Sequence, residues 1–203
     1  MTAIALPRKR VLADHVPAVA GVPAGVGSLA RDLVLVLAGA GFVGLLSQWS
    51  IPLPGTPVPL TLGTFAVLLT GASLGWLRGL LSIGTYLVAG GLGVNWFAGH
   101  KDGWGGATFG YVIGFVVAGA LVGWLAQRGG DRTVSRTVLT MVLGNVVIYS
   151  VGVPWLMGVT GLHLGGALDA GVVPFLLGDG IKVAAAAGLL PATWALVRRV
   201  ERR

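Results

Sequence analysis

Between Leu33 and Leu77 the chain carries no charged residue, a stretch about twice the roughly 20 apolar residues that one helix needs to cross a hydrocarbon core of about 30 Å. A single crossing is excluded, because Ile51-Pro-Leu-Pro-Gly-Thr-Pro-Val-Pro59 places four prolines in the middle of the run. Each proline lacks the N–H that a helix interior requires. The run therefore reads as two spans joined by a proline-rich loop. Composition extends this reading to the whole chain, with 55% hydrophobic and only 10% charged residues against about a quarter charged in soluble domains. Apolar stretches with few or no charges predict six spans: about 32–50, 60–76, 78–95, 106–127, 133–156 with an interruption or end near Gly152-Val-Pro154, and Val172 to Val197. The expected fold class is an all-α integral membrane protein, multi-pass in the cell membrane, with six transmembrane helices.

Orientation follows from the positive charges, which favour the cytoplasmic side. Arg8, Lys9, Arg10 and Arg31 precede the first span, Arg78 separates the second and third, Arg128, Arg132 and Arg136 separate the fourth and fifth, and Arg198, Arg199, Arg202 and Arg203 follow the sixth. These alternate ends share one side, so both termini are expected to be cytoplasmic, and the proline loop, the Lys101 loop and the His163 loop face outward. Residues 1–30 are expected to form a loosely ordered cytoplasmic segment, without the apolar core that a cleaved signal peptide carries after its basic residues. Residues 31–199 form the six-helix domain and 200–203 a basic tail. The high isoelectric point, about 10.9, is thus a topology signal and does not point to nucleic acid.

Several chemistries are excluded. Cysteine is absent, which removes disulfides, thiolate nucleophiles and Cys-ligated metals. No Gly-x-x-x-x-Gly-Lys-Ser/Thr loop is present for nucleotide phosphates. His15, His100 and His163 are scattered, whereas a metal needs converging ligands. Ser47, Ser73, Ser82 and Ser150 have no base nearby in sequence and read as packing residues. No metal, cofactor or enzymatic activity is expected.

Asp179 and Lys182 are the only charges between Val172 and Val197. Spacing of three puts them on one helix face, and a charge near the hydrocarbon costs on the order of 3 kcal/mol, so such pairs usually serve a function. Two uses remain open, a ligand site and a structural tie between helices.

The chain resembles the BioY family, the biotin-binding S components of energy-coupling factor (ECF) transporters, in four stretches whose order and spacing match. Pro57-Val-Pro-Leu-Thr-Leu-Gly-Thr-Phe65, continued by Gly71-Ala-Ser-Leu-Gly75, is similar to the lead-in and body of its second helix. Gly105-Gly-Ala-Thr-Phe-Gly-Tyr111 with Gly114-Phe115 resembles the start of the fourth, and Leu143-Gly-Asn-Val-Val-Ile-Tyr149 with Gly152-Val-Pro-Trp155 the fifth. Pro174-Phe-Leu-Leu-Gly-Asp-Gly-Ile-Lys182 resembles the PFxxGDxxK signature. Gly63 and the Asn95-Trp-Phe-Ala-Gly99 loop depart from the commoner glutamine and P-V-F-A-G.

The resemblance implies a substrate-binding subunit that captures biotin from outside and works with a transmembrane T component and two cytoplasmic ATPases. Asp179 and Lys182 then suit the ureido ring, which both donates and accepts hydrogen bonds. Lys101 and Asn95 are candidates for the valerate carboxylate, Asn95 fitting equally a helix C-cap. Tyr86, Trp96, Phe97, Phe109 and Tyr111 are candidate walls or interfacial aromatics. Asn145 reads as an interhelical hydrogen bond. Ala40 and Gly44, four apart on the first span, allow another helix to approach closely, as a T component would or as internal packing does. The competing class is a proton-coupled secondary carrier for biotin or a related carboxylate vitamin, with Asp179 taking up the proton.

Overall fold

The computed structural model describes residues 10–18, 21 and 23–202; the expectations for Arg8, Lys9 and Arg203 fall outside these. Its helices are α1 (Ala24–Ser47), α2 (Gly63–Leu74), α3 (Trp76–Gly91), α4 (Phe109–Ala126), α5 (Val134–Thr160), α6 (Leu164–Gly171) and α7 (Leu176–Glu201). Among the described residues, four segments are long and apolar enough to cross a membrane: Gly25–Ser47, Phe109–Ala126, Val134–Thr160 and Leu164–Glu201. The helix α2 spans only 12 residues, about 18 Å at 1.5 Å per residue, and is shorter than a hydrocarbon core.

Several boundaries differ from the sequence reading for local reasons. The first helix begins at Ala24, inside the segment expected to be loosely ordered. The proline loop is not helix-free coil throughout: Ser50–Ile51 (β1) pairs antiparallel with Leu60–Thr61 (β2), a small ribbon in an otherwise helical chain. Gly75 alone separates α2 from α3, at φ +84°, a region that L side chains rarely adopt. The helix α5 runs straight through Pro154 to Thr160 and ends on Gly161 at φ +71°, a left-handed C-cap. The stretch that follows His163, read as loop, is α6, and Val172 at φ −132° and ψ −58° turns the chain into a short 3-10 turn, Val173–Phe175, before α7 starts.

The fourth helix is the central one, packing against α2, α3 and α5, while α1 lies on α2 and α3 and α7 on α5 and α2. Small residues set these distances. A Cβ at Gly71 of α2 would stand 2.4 Å from the Gly119 carbonyl oxygen of α4, and one at Gly114 would stand 2.9 Å from that of Ile148 in α5. Backbones this close replace the hydrophobic driving force that lipid cannot supply between helices. Large apolar side chains such as Leu33, Leu37 and Leu45 on α1 and Leu177, Ile181 and Leu196 on α7 are exposed, as lipid-facing residues are.

Ala40 and Gly44 require a correction. Ala40 is 1% exposed, and a Cβ on Gly44 would meet the Trp96 ring at 2.8 Å. Both residues face inward, Gly44 against Trp96, so they offer no surface to a partner.

Near the chain's start, Leu12–His15 forms a 3-10 turn with Val11 fully buried. Asp14 accepts a hydrogen bond from the Val11 N–H at 2.9 Å and pairs with Arg78 of α3. Burial raises its carboxyl, but the Val11 N–H, Arg78 and Arg31 together outweigh that and hold it below the ordinary value of 3.8. A depressed carboxyl stabilises the fold above its unfolded value and loses that contribution as pH falls through the folded one. Asp14→Asn should therefore lower Tm at neutral pH, and the gap from wild type should shrink once pH drops below about 4. A thermal-shift series from about pH 7 to 3 checks this, and a gap that stays constant contradicts it.

Candidate functional site

A cavity opens between α2, α4, α5 and α7, closed over by Val58–Thr61 of the ribbon and by Phe97 and Ala98. Its empty space amounts to about 610 Å³, with the open solvent at its mouth included. Its walls are largely apolar, with Val112 and Phe115 from α4, Ile148 from α5 and Phe175 from the 3-10 turn.

The polar groups converge from three helices. Asp179 lies in the first turn of α7, where the unpaired N–H groups of a helix start favour a carboxylate. Lys182, one turn on, places Nζ 3.0 Å from Asp179 Oδ1 and donates to Thr64 Oγ1 of α2 at 2.8 Å. The Tyr149 hydroxyl of α5 donates to Asp179 Oδ2. The side chains of Lys182 and Asp179 are only 11% and 8% exposed. An ammonium has three N–H groups and a carboxylate oxygen more than one lone pair, so each member of the pair retains capacity for a bound molecule. The arrangement presents an acceptor and donors side by side at one end of an apolar chamber. That suits a compact organic group with its own N–H and C=O edges; among the described residues no three His, Cys, Asp or Glu side chains converge on a metal position.

Of the residues singled out in the sequence, Asp179, Lys182, Tyr86, Phe97 and Tyr111 all line this cavity. Phe97 is 7% exposed and packs edge-on against Tyr86 at 5.3 Å between centroids, while Tyr111 donates from its hydroxyl to the Gly171 carbonyl at 3.0 Å. Trp96 stands behind Tyr86, its indole N–H donating to the Tyr86 carbonyl at 2.9 Å. Phe109 sits among Phe97, Trp104 and Trp155. Lys101 pairs with Phe97 through its backbone and its side chain is exposed. Asn95 is exposed as well, and with its amide nitrogen turned inward it reaches Gly93 O and Asp102 Oδ2, each at 3.0 Å. Asn145 borders a separate small hollow with Thr64 and Lys182.

Thr64 and Tyr149 were missed as site residues. Both occur in the stretches that carried the resemblance, but a threonine or tyrosine in a span has no sequence signal that ties it to a charge 118 or 30 residues away.

A family model described as the BioY family matches residues 15–199. The chain belongs to the BioY family. Over 160 residues it is 37% identical to a probable biotin transporter BioY of Pyrococcus horikoshii, covering 77% of this chain and 92% of that one. Over 146 residues it is 34% identical to a biotin transporter BioY of Thermotoga maritima, covering 70% and 84% respectively. Among solved structures, the S component for biotin from an ECF-type ABC transporter superposes with a TM-score of 0.73, covering 90% of this chain and 96% of that one at 21% identity. At that identity the likeness concerns the fold, which is the membrane S-component fold. This BioY-family chain is accordingly a multi-pass membrane protein.

Proposed function

We propose that the chain is the biotin-binding S component of an ECF transporter, taking biotin from outside the cell into the cavity described above. The observation that carries this reading is the Asp179 and Lys182 pair inside an apolar-walled chamber, in a chain whose named relatives are biotin transporters. Asp179 accepts from the ureido N–H groups, and Lys182 donates to the ureido carbonyl. The bicyclic ring and alkyl chain lie against Phe97, Tyr86, Tyr111 and Phe115, with Trp96 backing Tyr86. The valerate carboxylate reaches the loop above, where Lys101 supplies the cation. Transport then needs energy from elsewhere, because the sequence has no phosphate-binding loop; a T component with two cytoplasmic ATPases supplies it.

Competition separates this site from a general carboxylate binder. Desthiobiotin keeps the ureido ring and should displace labelled biotin, whereas lipoate, which lacks it, should compete at least about 100-fold more weakly, because it leaves buried polar groups unmatched. Equal competition by lipoate would overturn the assignment. Uptake that collapses with an uncoupler while cellular ATP persists would instead favour a proton-coupled carrier.

The same proposal has six crossings, α1 to α5 and α7, with both termini cytoplasmic and the 97–105 loop external. The cysteine-free chain makes the test direct. A single cysteine at Gly103 should react with a membrane-impermeant maleimide in intact cells and one at Gly129 should not. The reverse pattern would invert the topology.

A further inference from the structure

The cavity's roof hangs on one side chain that lies outside the cavity itself. Gln48 is the residue that follows α1. Its Nε2 donates to the Trp96 carbonyl at 2.6 Å, to the Gly44 carbonyl at 3.0 Å and to the Phe97 carbonyl at 3.3 Å. Its Oε1 accepts from the His100 backbone N–H at 3.1 Å. His100, at φ +57°, is the only non-glycine residue among those described with a positive φ, a conformation that tertiary contacts must hold in place. Phe97 and Lys101 close the same loop as an isolated antiparallel bridge. One amide thus holds both arms of the loop that carries Phe97 and Ala98 over the cavity, and it does so from the junction of α1 with the proline-rich ribbon that forms the rest of the roof.

We propose that Gln48 is a positioning residue that keeps the roof closed, so that it controls how fast a ligand leaves. The other anchors lie at the loop's two ends. The Trp96 indole N–H donates to the Tyr86 carbonyl and the Gly103 N–H to the Gly90 carbonyl, each at 2.9 Å, the ring contacts of Phe97 with Tyr86 and Phe109 hold its side chain, and Asn95 and Asp102 act only within the loop. Loss of the Gln48 amide leaves the His100 N–H without its acceptor and the Trp96 and Phe97 carbonyls with only the longer bonds from the Tyr86 hydroxyl at 3.5 Å and the Lys101 N–H at 3.3 Å. The loop should then open more often without disturbing the helices beneath it.

The inference rests on the proposed biotin site only for its second readout. In the first, Ala98→Cys provides a single thiol at the cavity in a chain with no other cysteine, and its labelling by a small maleimide reports roof opening without ligand. Adding Gln48→Leu should speed labelling about tenfold, as the loss of one or two net hydrogen bonds would. Labelling of an Ala186→Cys control, buried in α7 at 1% exposure, should not change. In the second readout, bound biotin should leave the Gln48→Leu protein about tenfold faster while its association rate stays within about twofold, because departure requires the roof to open. Gln48→Glu, which keeps the volume and the acceptor for His100 but sets a carboxylate against the two carbonyls, should show the same directions if Gln48→Leu does not fold. Unchanged labelling of Ala98→Cys overturns the proposal, as does equal acceleration at Ala186→Cys, which would mean general loosening. A wild type that binds no biotin, with labelling as expected, overturns the biotin site and leaves the latch standing.

Discussion

Asp179→Asn and Lys182→Met should each weaken biotin binding by about 2 kcal/mol or more, since in the proposed site each leaves buried polar groups of the ligand unmatched. The geometry sharpens what the two variants do to the protein itself. Lys182 bridges Asp179 to Thr64, and Asp179 also receives the Tyr149 hydroxyl, so the pair ties α2, α5 and α7 together in addition to facing the cavity. Removing one partner strands a poorly solvated charge and destabilises by roughly 3 kcal/mol if the tie is its whole role, and the double replacement then recovers much of that loss. Ligand contact gives a different pattern, in which the Asp179→Asn, Lys182→Met protein regains stability yet does not bind biotin. Thermal melts and equilibrium binding on the same three variants separate the two. A double variant with near-native biotin affinity would show that these charges do not touch the ligand.

Gly71→Ala destabilises the fold by about 2 kcal/mol, within the range for overpacking a tight contact. The added Cβ would stand 2.4 Å from the Gly119 carbonyl oxygen and 3.0 Å from its Cα. Both are backbone atoms that cannot rotate away, so α2 and α4 must separate. Because Thr64 and Tyr111 of the cavity sit on those two helices, biotin affinity should fall with stability. Gly188→Ala is the control, with open space around its Cβ, and it should be neutral or stabilising by up to about 1 kcal/mol through helix propensity. Melting curves of the two proteins in the same detergent check the contrast; equal effects would mean that the α2 and α4 contact is not set by Gly71.

Why some of this was legible in the sequence and some not comes down to range. A charge inside an apolar run is conspicuous because its cost is local, and Asp179 and Lys182 stand out for that reason. The positions of α1, α4 and α5 follow from the length of charge-free sequence for the same reason. Thr64 and Tyr149 became site residues through contacts between helices, which leave no period and no spacing to read. The Ala40 and Gly44 motif announces a close approach but not what approaches, and here Trp96 from a distant loop occupies the space. Pro154 suggested a break in α5, yet within a bundle the lost backbone bond can be made good by neighbouring groups, and the helix continues. The stretch after His163 reads as loop because α6, eight residues long, is too short to show a helical pattern against its glycines.

Isothermal titration of the detergent-purified chain with biotin, with Asp179→Asn run alongside, shows whether the cavity around Asp179 and Lys182 binds biotin. Saturable one-to-one binding by the wild type is expected, with an affinity at least about 30-fold lower in the variant, the equivalent of about 2 kcal/mol. A folded wild-type protein that gives no saturable heat with biotin, or a variant that binds it as tightly as the wild type, would contradict the proposed site.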